Sequence, residues 1–473
     1  ANGISQTWTL HVYRTKGLPA QPKEGLFTDE FARGGKGKEL RRVGRGEGLA
    51  DADQTLSLFG NVDPHDLTQG SVGNCWLISA FAAAAEFPKA VTALCQQQKL
   101  AANGRYDVRL YHPVKEKWEC IMVDDSFPVH NAGLKFANMG NQGEIWPCVL
   151  EKALAKMFGG YDALEGNTSL LAFKTMFGAQ SIDLISLDRE SNGKWTCYTP
   201  HFEDEGGATP ECNKVSAPWL DGFSLDGTVE RLMDDKFFEL LEDLDETGCI
   251  MCCAAGRPLV KEGKAKKSKG HSGEMIGAGG LVRDHAYTLL RAVDDVAGSG
   301  FDLIEMRNPW GKGEWTGAWS DNSDMWEIHP EVKRFLRPES IDDGKFWISK
   351  EDFANNFDGI QVCLSKEMRK RYDAAVECAR ERALSGFTRH PGCGFSGKYC
   401  EQMFISDTEA QELCKAKPGE WAGYIELPPD PDPTEEVGVI MLMAGGGLIG
   451  VDKGVPEGWT AFLHNFEAEE KPG

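Results

Sequence analysis

The sequence holds no apolar run long enough to cross a bilayer. Its best stretch, VGVIMLMAGGGLIG at 437–450, is 14 residues long with five glycines, short of the ~20 residues a spanning helix needs. A strand and a glycine turn are expected there, and no stable membrane span. Positive charge is also scarce: 51 Lys and Arg against 73 Asp and Glu leave a net charge of −22, which argues against nucleic acid as a partner and suits cation binding. The fourteen cysteines lack the dense, regular spacing of a disulfide scaffold, so a reducing, cytoplasmic setting is expected. There is no internal repeat. With 41% hydrophobic and 26% charged residues over 473 positions, the composition is that of a folded chain of two to four domains.

Organisation follows from hydrophobic period. After a glycine- and charge-rich lead at 32–48, loops alternate with helical runs up to about residue 170. In EIWPCVLEKALAKMFGGYDAL at 144–164, Val149, Ala153, Leu154 and Met157 recur at helical spacing, and Gly159-Gly160 is the stop. From 176 onward the segments SIDLISL, CIMCCAA, HAYTLLRAV and FDLIEMRNPW are short and rich in β-formers, which predicts antiparallel sheet. One helix near 228–246 interrupts it, with Phe237, Leu240, Leu241 and Leu244 as its apolar stripe. Segments 188–224 and 261–280 read as surface loops, the second one lysine-rich. Residues 365–473 open with a charged helix and continue as mixed loops of unassigned function. The strand-like TWTLHVYR at 7–14 reads as entering from something earlier, so flanking domains of a longer chain are expected.

The chemistry centres on QGSVGNCWLISAFAAAAEF at 69–87, where a helix should begin at Cys75 and run to the break at Pro88. A thiol in a first helical turn faces unpaired N–H groups and the positive end of the helix dipole, which favours its thiolate. The same stretch read alone equally suits a small buried hydrophobe. A nucleophilic thiolate needs a base and a group that orients the base. His285 opens the strand HAYTLLRAV, and Asn308 ends the next one; adjacent antiparallel strands would join them, although each residue by itself reads as structural. Gln69 could aim its amide at the carbonyl oxygen under attack, and Trp310 could shield the His285–Asn308 hydrogen bond from water. Cys249 and Cys252 have CxxC spacing, but three positions along a strand point to opposite faces, so they are read as core.

The ordered set QGSVGNCW, DHAYTLL, RNPWGKGEWTGAWSD and DGKFW closely resembles the catalytic core of calpains, calcium-dependent papain-like cysteine proteases, over residues 26–364. The resemblance implies an α+β papain-like fold, with a helical lobe at 26–175, a β-rich lobe at 176–364 and a substrate cleft between them. A lead segment at 1–25 and a C-terminal region at 365–473 complete the organisation. It implies an endopeptidase acting on protein substrates, with Cys75 as nucleophile, His285 as general base and acid, Asn308 as orienter and Gln69 in the oxyanion hole. Asn74 stands where calpains often carry an acidic residue. The alternatives are a catalytically silent interaction module and a calcium-independent acyl transferase. The lysine-rich stretch before His285 could gate the cleft or favour acidic substrates.

The family also implies two calcium sites. Asp66 and Glu144, with carbonyls near Phe59 and Asn61, match the first. Glu314, Asp321 and Asp343 match the second, but Lys345 stands where another carboxylate is usual. An ammonium cannot ligate calcium; it could pair with Asp343 or Glu314 as a built-in cation.

Overall fold

The structure is a computed structural model that describes residues 27–29, 31, 39–43, 56–131, 133–140, 143–179, 183–189, 195–203, 211–216, 235–256, 266–267, 275–370 and short strands between 387 and 464. The chain divides into two compact units, Ala1–Arg371 and Tyr372–Gly473. Among the described residues no helix is long and apolar enough to cross a membrane.

The first unit is built around the helix Cys75–Ala85, of which every residue after Cys75 is buried. Four consecutive alanines, Ala82 to Ala85, present little bulk, so neighbouring elements approach closely. Helices Trp146–Met157 and Ser169–Phe177 share its core through Val149, Leu154, Leu170 and Phe173. The hairpin Arg105–His112 with Lys117–Asp124, unmarked in the hydrophobic pattern of this half, adds Tyr106, Val108 and Leu110.

Beside it stands an eight-stranded sheet in the order Lys345–Ser349, Leu303–Arg307, His285–Val293, Ile250–Ala255, Gly359–Cys363, Leu184–Arg189, Trp195–Glu203, Glu211–Ser216, antiparallel throughout. Alternation along each strand splits its residues between two cores. Ile250, Cys252 and Ala286 pack with the Cys75–Ala85 helix. Met251, Cys253, Tyr287 and Leu289 pack with Phe237, Leu240, Leu241 and Leu244 of the helix Asp235–Glu246. Cys249 and Cys252 therefore belong to opposite cores, as their spacing predicts.

Two expectations need correction. Segment 188–224 contains strands Trp195–Glu203 and Glu211–Ser216, which extend the sheet rather than forming a loop. The second unit is not mixed loops: it holds a five-stranded antiparallel sheet, ordered Phe387–Pro391, Thr460–His464, Trp421–Glu426, Val439–Met443, Cys400–Met403. Strand length there falls at or below six residues, too short for alternation to stand out from glycine- and proline-rich surroundings. In 261–280, Lys266–Lys267, Met275–Ile276 and the adjoining Val282–Arg283 form a small sheet. The lead at 1–25, most of the lysine-rich stretch and most of the charged helix after 365 lie outside the described residues.

Candidate functional site

The helix starts at Cys75, as predicted, with Asn74 as its N-cap. Side chains fix where that end lies against the sheet: Ser79 Oγ donates to Ala286 O at 3.0 Å and Thr288 Oγ1 donates to Ser79 O at 2.9 Å. A reciprocal pair of this kind holds helix and strand in one register. Cys75, half-buried, and His285, buried at the head of its strand, then line one cleft of about 590 Å³ with Gly73, Gly166, Ala254 and Gly256.

His285 and Asn308 meet as the antiparallel reading predicts, with His285 Nε2 and Asn308 Oδ1 3.0 Å apart. Asn308 is fully buried. Its Oδ1 also accepts from Trp310 N at 3.0 Å, while Nδ2 donates to Gly313 O at 2.8 Å, so the amide orientation is determined by three partners. Gly344 takes φ 88°, and a Cβ there would fall 2.7 Å from Asn308 O, so only glycine fits where Asn308 N donates to Gly344 O at 2.7 Å. The Trp310 ring lies 5.0 Å from the His285 ring, inclined at 59°.

Gln69 is buried in the loop before Cys75. Its Nε2 donates to Val72 O at 2.8 Å, which uses one of two amide hydrogens. Its backbone N donates to Pro309 O at 2.9 Å, and Arg307 Nη2 donates to Leu67 O at 2.6 Å. These bonds join the cysteine loop to the asparagine turn. Arg307 opens the RNPWG motif, but in sequence it carries no role of its own; its place directly before Asn308 was the available signal.

The two acidic groups behave differently. Glu144 is fully buried and Asp66 nearly so. A Cβ at Gly140 would fall 2.6 Å from Glu144 Oε2 and 2.9 Å from Asp66 Oδ1, and one at Gly60 would fall 2.2 Å from Glu144 Oε1. Glu144 thus packs on the backbone at both Gly60, between Phe59 and Asn61, and Gly140, and Asp66 joins it at Gly140. Burial, joined by the charge of Glu144, pushes Asp66 up to about 6. Two buried acids packed on the main chain at Gly60 and Gly140 suit a hard cation. Among the described residues no three His, Cys, Asp or Glu side chains are arranged to hold a metal by themselves, so carbonyls would have to complete the shell.

The second group fits a cation less well. Burial pushes Glu314 up to about 7 and, with the charge of Asp343, Asp321 up to about 6. Asp343 already carries a cationic partner, His65 Nε2 at 3.1 Å. The carboxylates of Asp343 and Asp63 beside it push His65 up to about 9. The expected Lys345 ion pair is corrected: its ammonium lies 3.5 Å from Glu339 and 3.9 Å from Glu305, and its backbone N–H donates to Asp343 at 2.8 Å. Lys345 pairs with Arg307 across the sheet, so Glu305, two positions from Arg307 on the same face, is its diagonal neighbour and draws the ammonium away from Asp343.

A thiol at a helix start and a histidine–asparagine pair on one cleft define the cysteine-protease class of domain. The chain belongs to the calpain family: the family model described as calpain family cysteine protease matches residues 44–364. It is 28% identical to mouse calpain-9 over 310 residues, 65% of this chain and 37% of that protein. Rat calpain-2 catalytic subunit is 27% identical over 311 residues, 65% of this chain and 36% of its own length. The calpain-type cysteine protease DEK1 of Zea mays is 30% identical over 329 residues, covering 67% and 12% respectively. The chain thus spans little more than a third of calpain-9.

Proposed function

We propose that the Ala1–Arg371 unit is an active endopeptidase of papain-like fold, its helical lobe (26–175) and β-rich lobe (176–364) enclosing the cleft. The observation that carries this reading is the shared cleft of Cys75 and His285, with Asn308 bonded to the imidazole at 3.0 Å. His285 takes the thiol proton, and the Cys75 sulfur attacks the scissile carbonyl carbon. The tetrahedral oxyanion is held by the Cys75 N–H and the second amide hydrogen of Gln69, each donor worth roughly 3 kcal/mol. His285 then protonates the leaving amine, and water attacks the acyl-enzyme with His285 as base. Asn308 keeps the imidazole turned toward the sulfur, and Trp310 covers that hydrogen bond. Protein substrates, a cytoplasmic setting and flanking domains are part of the same proposal.

Calcium is proposed as the activator. Asp66, Glu144 and the carbonyls of Phe59 and Asn61 would hold the first ion, whose charge offsets the repulsion of two buried acids and steadies the loop leading to Cys75. Glu314, Asp321 and Asp343 would contribute to a weaker second site, which likewise needs carbonyls to complete it and in which His65 competes for Asp343. A peptide chloromethylketone should label Cys75, more rapidly with calcium, and Cys75→Ala should eliminate labelling and cleavage of casein. A Cys75→Ala protein that cleaves at the parent rate would overturn the assignment. Absent labelling of the parent chain would favour the silent module.

A further inference from the structure

We infer that Glu151 is a positioning residue for the nucleophile, its buried carboxylate clamping the start of the cysteine helix to the strip paired with the oxyanion loop. The inference rests on the protease reading above and goes beyond it. Glu151 is 1% exposed and Asn74 is 0% exposed. Glu151 Oε1 accepts from Asn74 Nδ2 at 2.7 Å and Oε2 accepts from Ala137 N at 3.0 Å. Each oxygen therefore holds one side of the site.

On the first side, Asn74 is the N-cap whose carbonyl accepts from Leu77 N at 2.9 Å and Ile78 N at 3.1 Å. An N-cap asparagine ordinarily bonds a first-turn N–H. Here the side chain makes no cap bond, because it is turned inward to Glu151, which leaves the first-turn donors to the thiolate and the oxyanion. On the second side, Ala137 belongs to a strip paired with the cysteine loop. Ser71 N donates to Lys135 O at 2.9 Å and Asn138 N donates to Thr68 O at 3.0 Å. Gly70 packs so closely on Phe136 that a Cβ would lie 2.1 Å from Phe136 O.

Among the described residues Glu151 has no cationic partner in an ion pair; the two N–H donors oppose the cost of burying it. That cost remains visible, since burial pushes Glu151 up to about 7. The ionisable groups facing it are the Cys148 thiol and the Tyr161 phenol, both pushed up by burial and so neutral. A carboxylate accepting at both oxygens from opposite sides of one loop sets the distance between them, and misplacement by about 1 Å can cost 100-fold in rate.

The test uses the full chain with a small peptide substrate, activity being normalised to folded protein by near-UV circular dichroism. Glu151→Leu has similar volume and leaves both donors without acceptors. It should lower kcat by about 10- to 100-fold with KM within about twofold. Glu151→Gln keeps an acceptor for Ala137 N and, with the Asn74 amide rotated, a donor to Asn74 Oδ1, so it should stay within about threefold of the parent. Asn74→Ala should lower kcat, and Asn74→Ala with Glu151→Leu should be no slower than Glu151→Leu alone. Parent kcat per folded molecule in Glu151→Leu, or multiplying losses in the double variant, would overturn the inference while leaving the protease reading intact. If Glu151→Leu does not fold, Asn74→Ala decides: the Asn74 side chain makes no cap bond, so a kcat lowered about tenfold with KM within about twofold supports the clamp, and parent kcat per folded molecule refutes it. An inactive parent chain would instead refute the protease reading.

Discussion

Arg307 Nη2 donates to the carbonyl oxygen of Leu67 at 2.6 Å, joining residues 240 positions apart. The guanidinium comes from the end of a sheet strand and is 1% exposed, and the carbonyl lies two residues before Gln69. With Gln69 N donating to Pro309 O, this bond ties the loop that carries the nucleophile to the turn that carries Asn308. Burial lowers Arg307 to about 10, which still leaves it cationic at neutral pH. Arg307→Lys keeps the charge but loses the planar fork. We expect its kcat to fall about tenfold with KM little changed; steady-state kinetics matching the parent would remove Arg307 from the site's framework.

Asn308→Ala should lower turnover by about 10-fold or more, because the imidazole loses the partner that sets its orientation. It should also destabilise the fold by about 1–3 kcal/mol, since Trp310 N and Gly313 O lose a buried partner. Trp310→Ala should reduce turnover with a smaller change in melting temperature. Denaturant titration beside kinetics separates the two effects. Normal activity per folded Asn308→Ala molecule would reject the orienting role.

Calorimetry should detect calcium, and Asp66→Ala should weaken activation more than Asp343→Ala. Asp66 shares a buried pocket with Glu144, whereas Asp343 is already paired with His65. Lys345→Asp should tighten the second site by adding a carboxylate. Full activity in a chelator, with no heat of binding, would leave a calcium-independent protease.

Stability in chelator should peak at mildly acid pH. Burial pushes Glu151 up to about 7 and Asp245 up to about 6. Each contributes stability that is full below its unfolded value and is lost as pH rises through the folded one. His65, held up to about 9 by Asp343 and Asp63, follows the same sign, its contribution being lost between its unfolded value of 6.5 and about 9. Against the cost of burial, Lys152 lowers Asp124 and His65 lowers Asp343. These contribute above the unfolded 3.8 and are lost as pH falls. Melting temperature should therefore be higher at pH 5 than at pH 9; a steady rise to pH 9 would contradict these assignments.

By itself the sequence determined the features that are local or periodic. The cysteine at a helix start follows from an unbroken apolar run behind a glycine loop, and the pairing of His285 with Asn308 follows from two consecutive β-rich segments read as adjacent antiparallel strands. The opposed faces of Cys249 and Cys252 follow from the strand period. Tertiary structure alone decided the contacts made at long range by single side chains. The Arg307–Leu67 bond, the His65–Asp343 pair that displaced the expected Lys345 contact, and the two-sided grip of Glu151 leave no spacing in the chain. Their geometry depends on how separate elements pack, and a hydrogen bond between residues 77 or 240 positions apart exists only once the intervening core has closed. The strands within 188–224 and in the second unit were hidden for a related reason: short segments acquire their β character from neighbours across the sheet, because the ladder bonds and cross-strand contacts that stabilise them come from other parts of the chain.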